Sequence, residues 1–269
     1  DMEKKNWYSP LYPLFFSALA HVEKNIKEAE GKSERRRRKA YRDTINDLRD
    51  FIHYIESYIF RSYIIAGQAI RSDKFIYLAR NIRNNKYDKL VDVFEEKLFD
   101  NCFSEKSTEK FRTAFAEGVI ENTGRTPEDQ PYVQFAKYTL RMIENKRQQD
   151  NGSEMRVVEY GQSSSLEHIF PYSYSQKAKN LDGWEEFYDA KKKKYISEYV
   201  FRIGNYALLH GDINREMPNG SWREKKNHLV KSKITHTADI AKTYDSWTPE
   251  VIDEVQRKLA DEAVEVWNS

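Results

Sequence analysis

Two runs decide the fold of this chain: Leu166-Glu167-His168-Ile169-Phe170-Pro171 and Gly204-Asn205-Tyr206-Ala207-Leu208-Leu209. Each is a short β-prone segment that meets a breaker. Ser165–Ile169 is halted by Pro171, and Asn205–His210 is turned by Gly211-Asp212. After Pro218-Asn219-Gly220-Ser221 the pattern becomes helical from about Trp222 to Val230. The order is therefore strand, long connection, strand, helix. The connection carries Trp184, Phe187, Tyr188 and four consecutive lysines, and it predicts an inserted loop or helix.

N-terminal to these runs the period is helical throughout. Residues 9–29 open with Ser9-Pro10 and place Leu11, Phe15, Leu19 and Val22 at three-to-four spacing, the stripe of an amphipathic helix. Gly31 ends it. A longer helix follows from Ser33, with Ile45, Leu48, Ile52, Ile55 and Ile59 as its expected apolar face. Segments 72–84, 86–100, 108–122 and 131–148 repeat the period, separated by polar or glycine-bearing turns. The closing helix is announced by Thr248-Pro249-Glu250, which supplies an N-cap, a proline at the first helical position and an early acid; Ile252, Val255, Leu259 and Ala263 form its stripe.

Composition shifts at the polar stretch Gln148–Ser153, which divides a helical domain, residues 1–150, from a second domain, residues 151–269. The second domain opens with a candidate strand, Val157–Tyr160. The predicted class is α+β, predominantly α: an N-terminal helical bundle followed by a strand–strand–helix unit with flanking helices.

The totals are those of a folding chain. Of 269 residues, 39% are apolar and 14% aromatic, enough for sizeable cores despite a charged fraction of 33%. No run approaches the roughly 18 apolar residues of a membrane span, and Asp1–Lys5 lack the apolar core of a secretory signal. Cys102 stands alone, so neither an internal disulfide nor a cysteine-based zinc knuckle forms. A cytoplasmic protein is expected. The net charge of +2 conceals a local excess: residues 189–233 hold 11 Lys/Arg against 5 Asp/Glu, which favours an anionic polymer near the two motif runs. The run Arg35–Lys39 is either a phosphate-contacting patch or an exposed helical turn. His21 and His53 lack acidic or cysteine partners at ligand spacing and read as ordinary helix residues.

Glu167-His168-Ile169-Phe170-Pro171, Arg202 through Leu209, Asn214, Ser221-Trp222 leading to Lys225, and the tail Ser246-Trp247-Thr248-Pro249-Glu250-Val251-Ile252 together resemble an HNH, or ββα-metal, nuclease. More narrowly, they resemble the C-terminal nuclease domain of GmrSD-type and SspE-type bacterial anti-phage restriction proteins, over about residues 165–267. The resemblance implies that His168 is the general base, since an ordinary imidazole near pKa 6.5 suits proton abstraction at neutral pH. It makes Glu167 and Asn214 ligands of a divalent metal, Mg²⁺ first and Mn²⁺ as the alternative, with His228 as a substitute for Asn214. Asn205 takes the place of the residue that orients the catalytic histidine. Lys225, Arg215 and Arg202 become contacts to DNA phosphates. His210 and His236 have no place in the motif and read as surface or strand-end residues.

In the proteins it resembles, the nuclease domain follows a large nucleotide-hydrolysing domain. No Gly-rich phosphate loop is present here, so the resemblance implies a fragment of a larger protein whose NTPase part is absent. Residues 1–150 would then be a connector, a DNA platform or an assembly surface, the last allowing a homo-oligomer. The implied activity is a metal-dependent DNA endonuclease or nickase of anti-phage defence. Two alternatives stand beside it: a helical DNA-binding or assembly module with an inactive ββα unit, and an RNase.

Overall fold

The structure, a computed structural model, describes residues 11–61, 72–95, 102–118, 131–152, 164–175, 183–210 and 220–268. The chain divides into two compact units, Asp1–Phe111 with Trp267–Ser269, and Arg112–Val266.

The first unit is helical. Helices α1 (Tyr12–Glu30), α2 (Glu34–Tyr58) and α3 (Ser72–Arg83) pack around Leu14, Ala18, Val22, Phe51, Ile55 and Leu78. Two stripes differ from those expected. On α2, Ile45 and Ile52 are 54% and 45% exposed, whereas Thr44, Phe51 and Ile55 are buried. Both sets satisfy helical spacing, but they lie one residue, or 100°, apart around the axis, and burying the larger Phe51 ring removes more apolar area from water. On α1, Leu19 faces outward while Leu14, Ala18 and Val22 are buried. The segment expected as a helix over 86–100 shows a 3-10 turn at Leu90–Glu95 in its described part. Asp47 of α2 fixes it by accepting from the backbone N–H of Leu90 (2.8 Å) and Val91 (3.2 Å). Trp267 belongs to this unit and stacks on Phe60 at 3.6 Å.

Among the described residues, the second unit contains two small sheets. The last residues of α4 (Glu105–Glu117) lead into it, followed by α5 (Pro131–Asp150), strand β1 (Ser164–His168), the single turn α6 (Tyr172–Ser175), the short strands β2 (Tyr188–Asp189) and β3 (Lys194–Tyr195), and β4 (Tyr206–His210). Helices α7 (Trp222–Leu229), α8 (Thr235–Thr243) and α9 (Pro249–Val266) complete it. β1 and β4 are antiparallel, with His168 opposite Tyr206 and Leu166 opposite Leu208. β2 and β3 form a second antiparallel pair. The chain is thus predominantly α, with two small sheets among the described residues, in keeping with its sequence periods. Val157–Tyr160, the other candidate strand, lies outside the described residues.

A two-stranded ribbon is marginal alone, and here helices support it. α5 lies against both β1 and β4, α8 against β4, and α9 against the turn that precedes β4. The compositional change at Gln148–Ser153 and the packing division at Phe111/Arg112 are therefore different boundaries, because α5 finds its partners in the second unit. The stripe of α9 is as expected: Ile252, Val255, Leu259 and Ala263 are all buried. Among the described residues, no helix is long and apolar enough to cross a membrane.

Candidate active site

The end of β1 is shaped by the residues just beyond it. After His168 the chain bends through Ile169, Phe170 and Pro171, all buried, and the pairing with the second run extends one step further, because Ile169 N–H donates to the Asn205 carbonyl at 2.9 Å. Asn205 is fully buried, and its side-chain amide closes the bend. Its Oδ1 accepts from Phe170 N–H (2.8 Å) and from Trp247 Nε1 (3.1 Å), while its Nδ2 donates to the carbonyls of Phe170 (3.0 Å) and Val200 (3.3 Å). Every polar site of the amide is used, as a buried amide requires. Asn205 thus holds the backbone just after His168, and its four amide bonds go to that bend, to Val200 and to Trp247 rather than to the imidazole.

Gly204 explains how Asn205 reaches that position. A Cβ on Gly204 would stand 2.5 Å from the Ile252 carbonyl oxygen and 3.0 Å from the Gln256 nitrogen, so only glycine lets α9 come this close. Gln256, itself fully buried, spans the gap: its Oε1 accepts from Gly204 N–H (3.3 Å), and its Nε2 donates to the carbonyls of Phe115 (2.9 Å) and Gly118 (2.8 Å) at the end of α4.

Glu167 and His168 are neighbours on a strand, so their side chains leave on opposite sides. Glu167 meets α7, where Lys225 donates to its Oε1 and, at 2.6 Å, to the carbonyl of His168. The Lys225 side chain is 0% exposed and that of Glu167 is 22% exposed. Burial pulls the ammonium below its usual range and Glu167 opposes that shift. α7 is held at its start by a capping box in which Glu224 accepts from the Ser221 backbone N–H at 2.7 Å. The expectation of a phosphate-facing Lys225 therefore meets a lysine with no solvent exposure, its ammonium engaged within the protein.

The His168 ring lies between Tyr206, 4.6 Å away, and Tyr172, at 6.4 Å. Its Nε2 is buried without a hydrogen-bond partner among the described residues. Burial, reinforced by the Lys225 charge, lowers its pKa to about 4, so the imidazole is neutral at pH 7.

Behind β4, α8 supplies a second set of polar contacts. Thr237 Oγ1 donates to the Leu208 carbonyl at 2.7 Å, and His236 precedes it on the same helix. The sequence alone puts His236 at the surface or a strand end. It is buried instead, and burial lowers its pKa to about 3. Glu144 of α5, fully buried, anchors the start of α8 by accepting from the N–H groups of Thr235 (2.8 Å) and His236 (3.0 Å). Arg147, one turn along, pairs with Glu262 of α9 at 2.5 Å.

Of the remaining expected site residues, Arg202 is tied to Asp253 and to the Glu117 carbonyl (2.8 Å), an anchor for α4 and α9. Asn214 and Arg215 lie outside the described residues. His228 stands one turn beyond Lys225, with no described contact to Glu167 or His168. Gln256, Glu144 and Thr237 are not legible as site residues in the sequence, whereas Trp247 lies within the quoted tail. Among the described residues no group of three His, Cys, Asp or Glu could hold a metal ion. Glu167 is a hard oxygen donor that reaches solvent yet already carries an ammonium, so the donors fit at most a cation that keeps most of its waters.

No individually curated protein sequence matches this chain. The profile of the family described as GmrSD restriction endonucleases, C-terminal domain, matches residues 90–262, beginning well before residue 165 and taking in α4 and α5, of which α5 packs against β1 and β4. That match covers well over half of the 269 residues, and the chain belongs to this restriction endonuclease C-terminal domain family.

Proposed function

We propose that this domain hydrolyses DNA phosphodiester bonds as an HNH-type, metal-dependent nuclease, with His168 as the general base. The observation that carries the reading is the buried, unpartnered Nε2 of a neutral imidazole at the end of β1, one residue along the strand from a carboxylate that reaches solvent and is backed by α7. His168 Nε2 takes a proton from the attacking water, whose oxygen bonds to phosphorus as the P–O bond on the far side breaks, and the departing oxygen is protonated from solvent. The depressed pKa keeps the base unprotonated at neutral pH, at some cost in basicity. Glu167, with Asn214, would hold Mg²⁺, which when bound stabilises the charge that builds on the phosphate and the leaving oxygen. Asn205 fixes the imidazole's place through the bend at Phe170. Lys225 positions both Glu167 and the His168 backbone.

Supercoiled plasmid with Mg²⁺ tests this reading, and the balance of nicked and linear product distinguishes a nickase from a double-strand cutter. Wild type should cleave, and His168→Ala should lose on the order of 10²–10⁴-fold, the usual contribution of a general base. Undiminished cleavage by His168→Ala would refute the assignment. No cleavage by wild type favours an inactive ββα module, and preferential cutting of RNA favours the RNase alternative.

A further inference from the structure

The β2–β3 hairpin interrupts the connection between the two motif strands, and its tip is Lys191-Lys192-Lys193-Lys194, all exposed. Asp189 shapes the turn by accepting from the N–H groups of Lys191 (3.0 Å) and Lys192 (3.1 Å), and it faces the Lys192 ammonium at 3.4 Å. For Lys191, Lys193 and Lys194 no carboxylate partner is described. Lys193 takes φ +52°, a left-handed conformation that glycine or asparagine would adopt at less cost. The turn thus gathers four like charges at one exposed end of the hairpin.

The hairpin is also firmly placed. Phe187, the residue before β2, stacks on Phe170 at 4.1 Å and 10°, and Tyr195, the residue after Lys194, lies 5.7 Å from the same ring. Phe170 is two residues from His168 and is the residue Asn205 clamps. Both legs of the hairpin thus rest on the catalytic bend. With a strand rise of about 3.3 Å per residue, the tip stands within about 10 Å of the Tyr195–Phe170 contact. Base pairs repeat about every 3.4 Å along duplex DNA, so a duplex presented to His168 would carry phosphates past the lysines a few base pairs away.

We infer that the Lys191–Lys194 tip grips the phosphate backbone of duplex DNA beside the cleaved bond, without reading sequence. The inference rests on the nuclease reading for its geometry, but its test does not require cleavage. Binding of a labelled duplex is followed by fluorescence anisotropy against KCl in the full chain carrying His168→Ala. Replacing Lys191, Lys193 and Lys194 together by Gln should weaken binding and make the slope of log K against log salt shallower by about 2–3, at roughly 0.9 for each phosphate no longer neutralised. The weakening should be equal on two unrelated sequences. Lys193→Asn, which retains the left-handed turn, should account for about one phosphate. A charge-matched control, Lys24→Gln with Lys27→Gln and Lys32→Gln in the first unit, should leave the slope unchanged. The inference is overturned if the hairpin triple binds with the wild-type slope, if the control lowers the slope as much, or if the weakening is confined to duplex RNA. Absence of plasmid cleavage by wild type, with the hairpin effect intact, would remove the nuclease reading alone.

Discussion

Lys225→Met tests how the strand end is held. Methionine preserves most of the apolar stem and removes the ammonium, so little packing is sacrificed. Two acceptors are then left without their donor, Glu167 Oε1 and the His168 carbonyl. Breaking a fully buried ion pair typically costs about 3–5 kcal/mol, and orphaning a buried acceptor about 1–3 kcal/mol. Glu167 retains 22% exposure and regains water, which reduces the first figure, so a net destabilisation of about 2–4 kcal/mol is expected. At about 2–4 °C per kcal/mol for a unit of this size, the melting temperature should fall by roughly 5–15 °C. Urea unfolding followed by Trp184, Trp222 and Trp247, all buried in the second unit, measures it directly. Glu167→Gln alone strands the buried ammonium, whereas the double variant removes both charges and should be at least about 1 kcal/mol less damaged than the sum of the singles. Additivity within about 0.5 kcal/mol, or a Lys225→Met destabilisation below that figure, would refute the claim that this pair organises the site.

The buried imidazoles make stability acid-sensitive. The folded-state pKa of His236 lies near 3 and that of His168 near 4, below the unfolded value of about 6.5, so the unfolded chain takes up protons that the folded one excludes. These two groups therefore leave stability unchanged above about pH 6.5 and lower it progressively as pH falls toward about 4 and 3. Urea midpoints measured from about pH 7.5 down to about pH 4.5 should decline, and His236→Gln should flatten the decline; a midpoint independent of pH would contradict the burial of both rings. Gly204→Ala places a methyl 2.5 Å from the Ile252 carbonyl oxygen, and overpacking of this kind costs about 1–3 kcal/mol; an unchanged thermal midpoint would show that α9 yields freely. Asn205→Asp retains the acceptor but cannot donate to the carbonyls of Phe170 and Val200. It should destabilise by about 2–4 kcal/mol, and equal stability to wild type in urea would discount the clamp.

How much of the fold is legible in the sequence depends on distance along the chain. β1, β4 and α9 are local signals: β-prone runs ended by breakers, and a proline-led helix start. The buried side of α2 is not, because Ile45 with Ile52 and Thr44 with Phe51 both satisfy the helical period, and only the partners on α1, α3 and the 3-10 turn choose between them. Likewise α5 carries the composition of the helices before it, yet Glu144 and Arg147 reach residues about a hundred positions ahead.

The candidate site separates along the same line. Its residue types can be read, but the work each does cannot, because Lys225 meets Glu167 across 58 positions and Asn205 meets Phe170 and Trp247 across 35 and 42. A lysine in a basic stretch reads as solvent-facing, and nothing local says otherwise. The structure shows why burial is needed. Two paired strands of five residues cannot hold two side chains in register on their own, and apolar contacts are non-directional. Directional bonds from Lys225, Asn205, Gln256 and Glu144, all wholly buried, fix strand end, bend and helix starts instead. Each such bond lies in a low-dielectric setting where removal of one partner is costly, so the residues that position His168 are also those on which the fold most depends. Activity measured on their variants must therefore be taken at temperatures and urea concentrations where the variant is still folded. A deficit that persists there belongs to the positioning of His168 and not to unfolding.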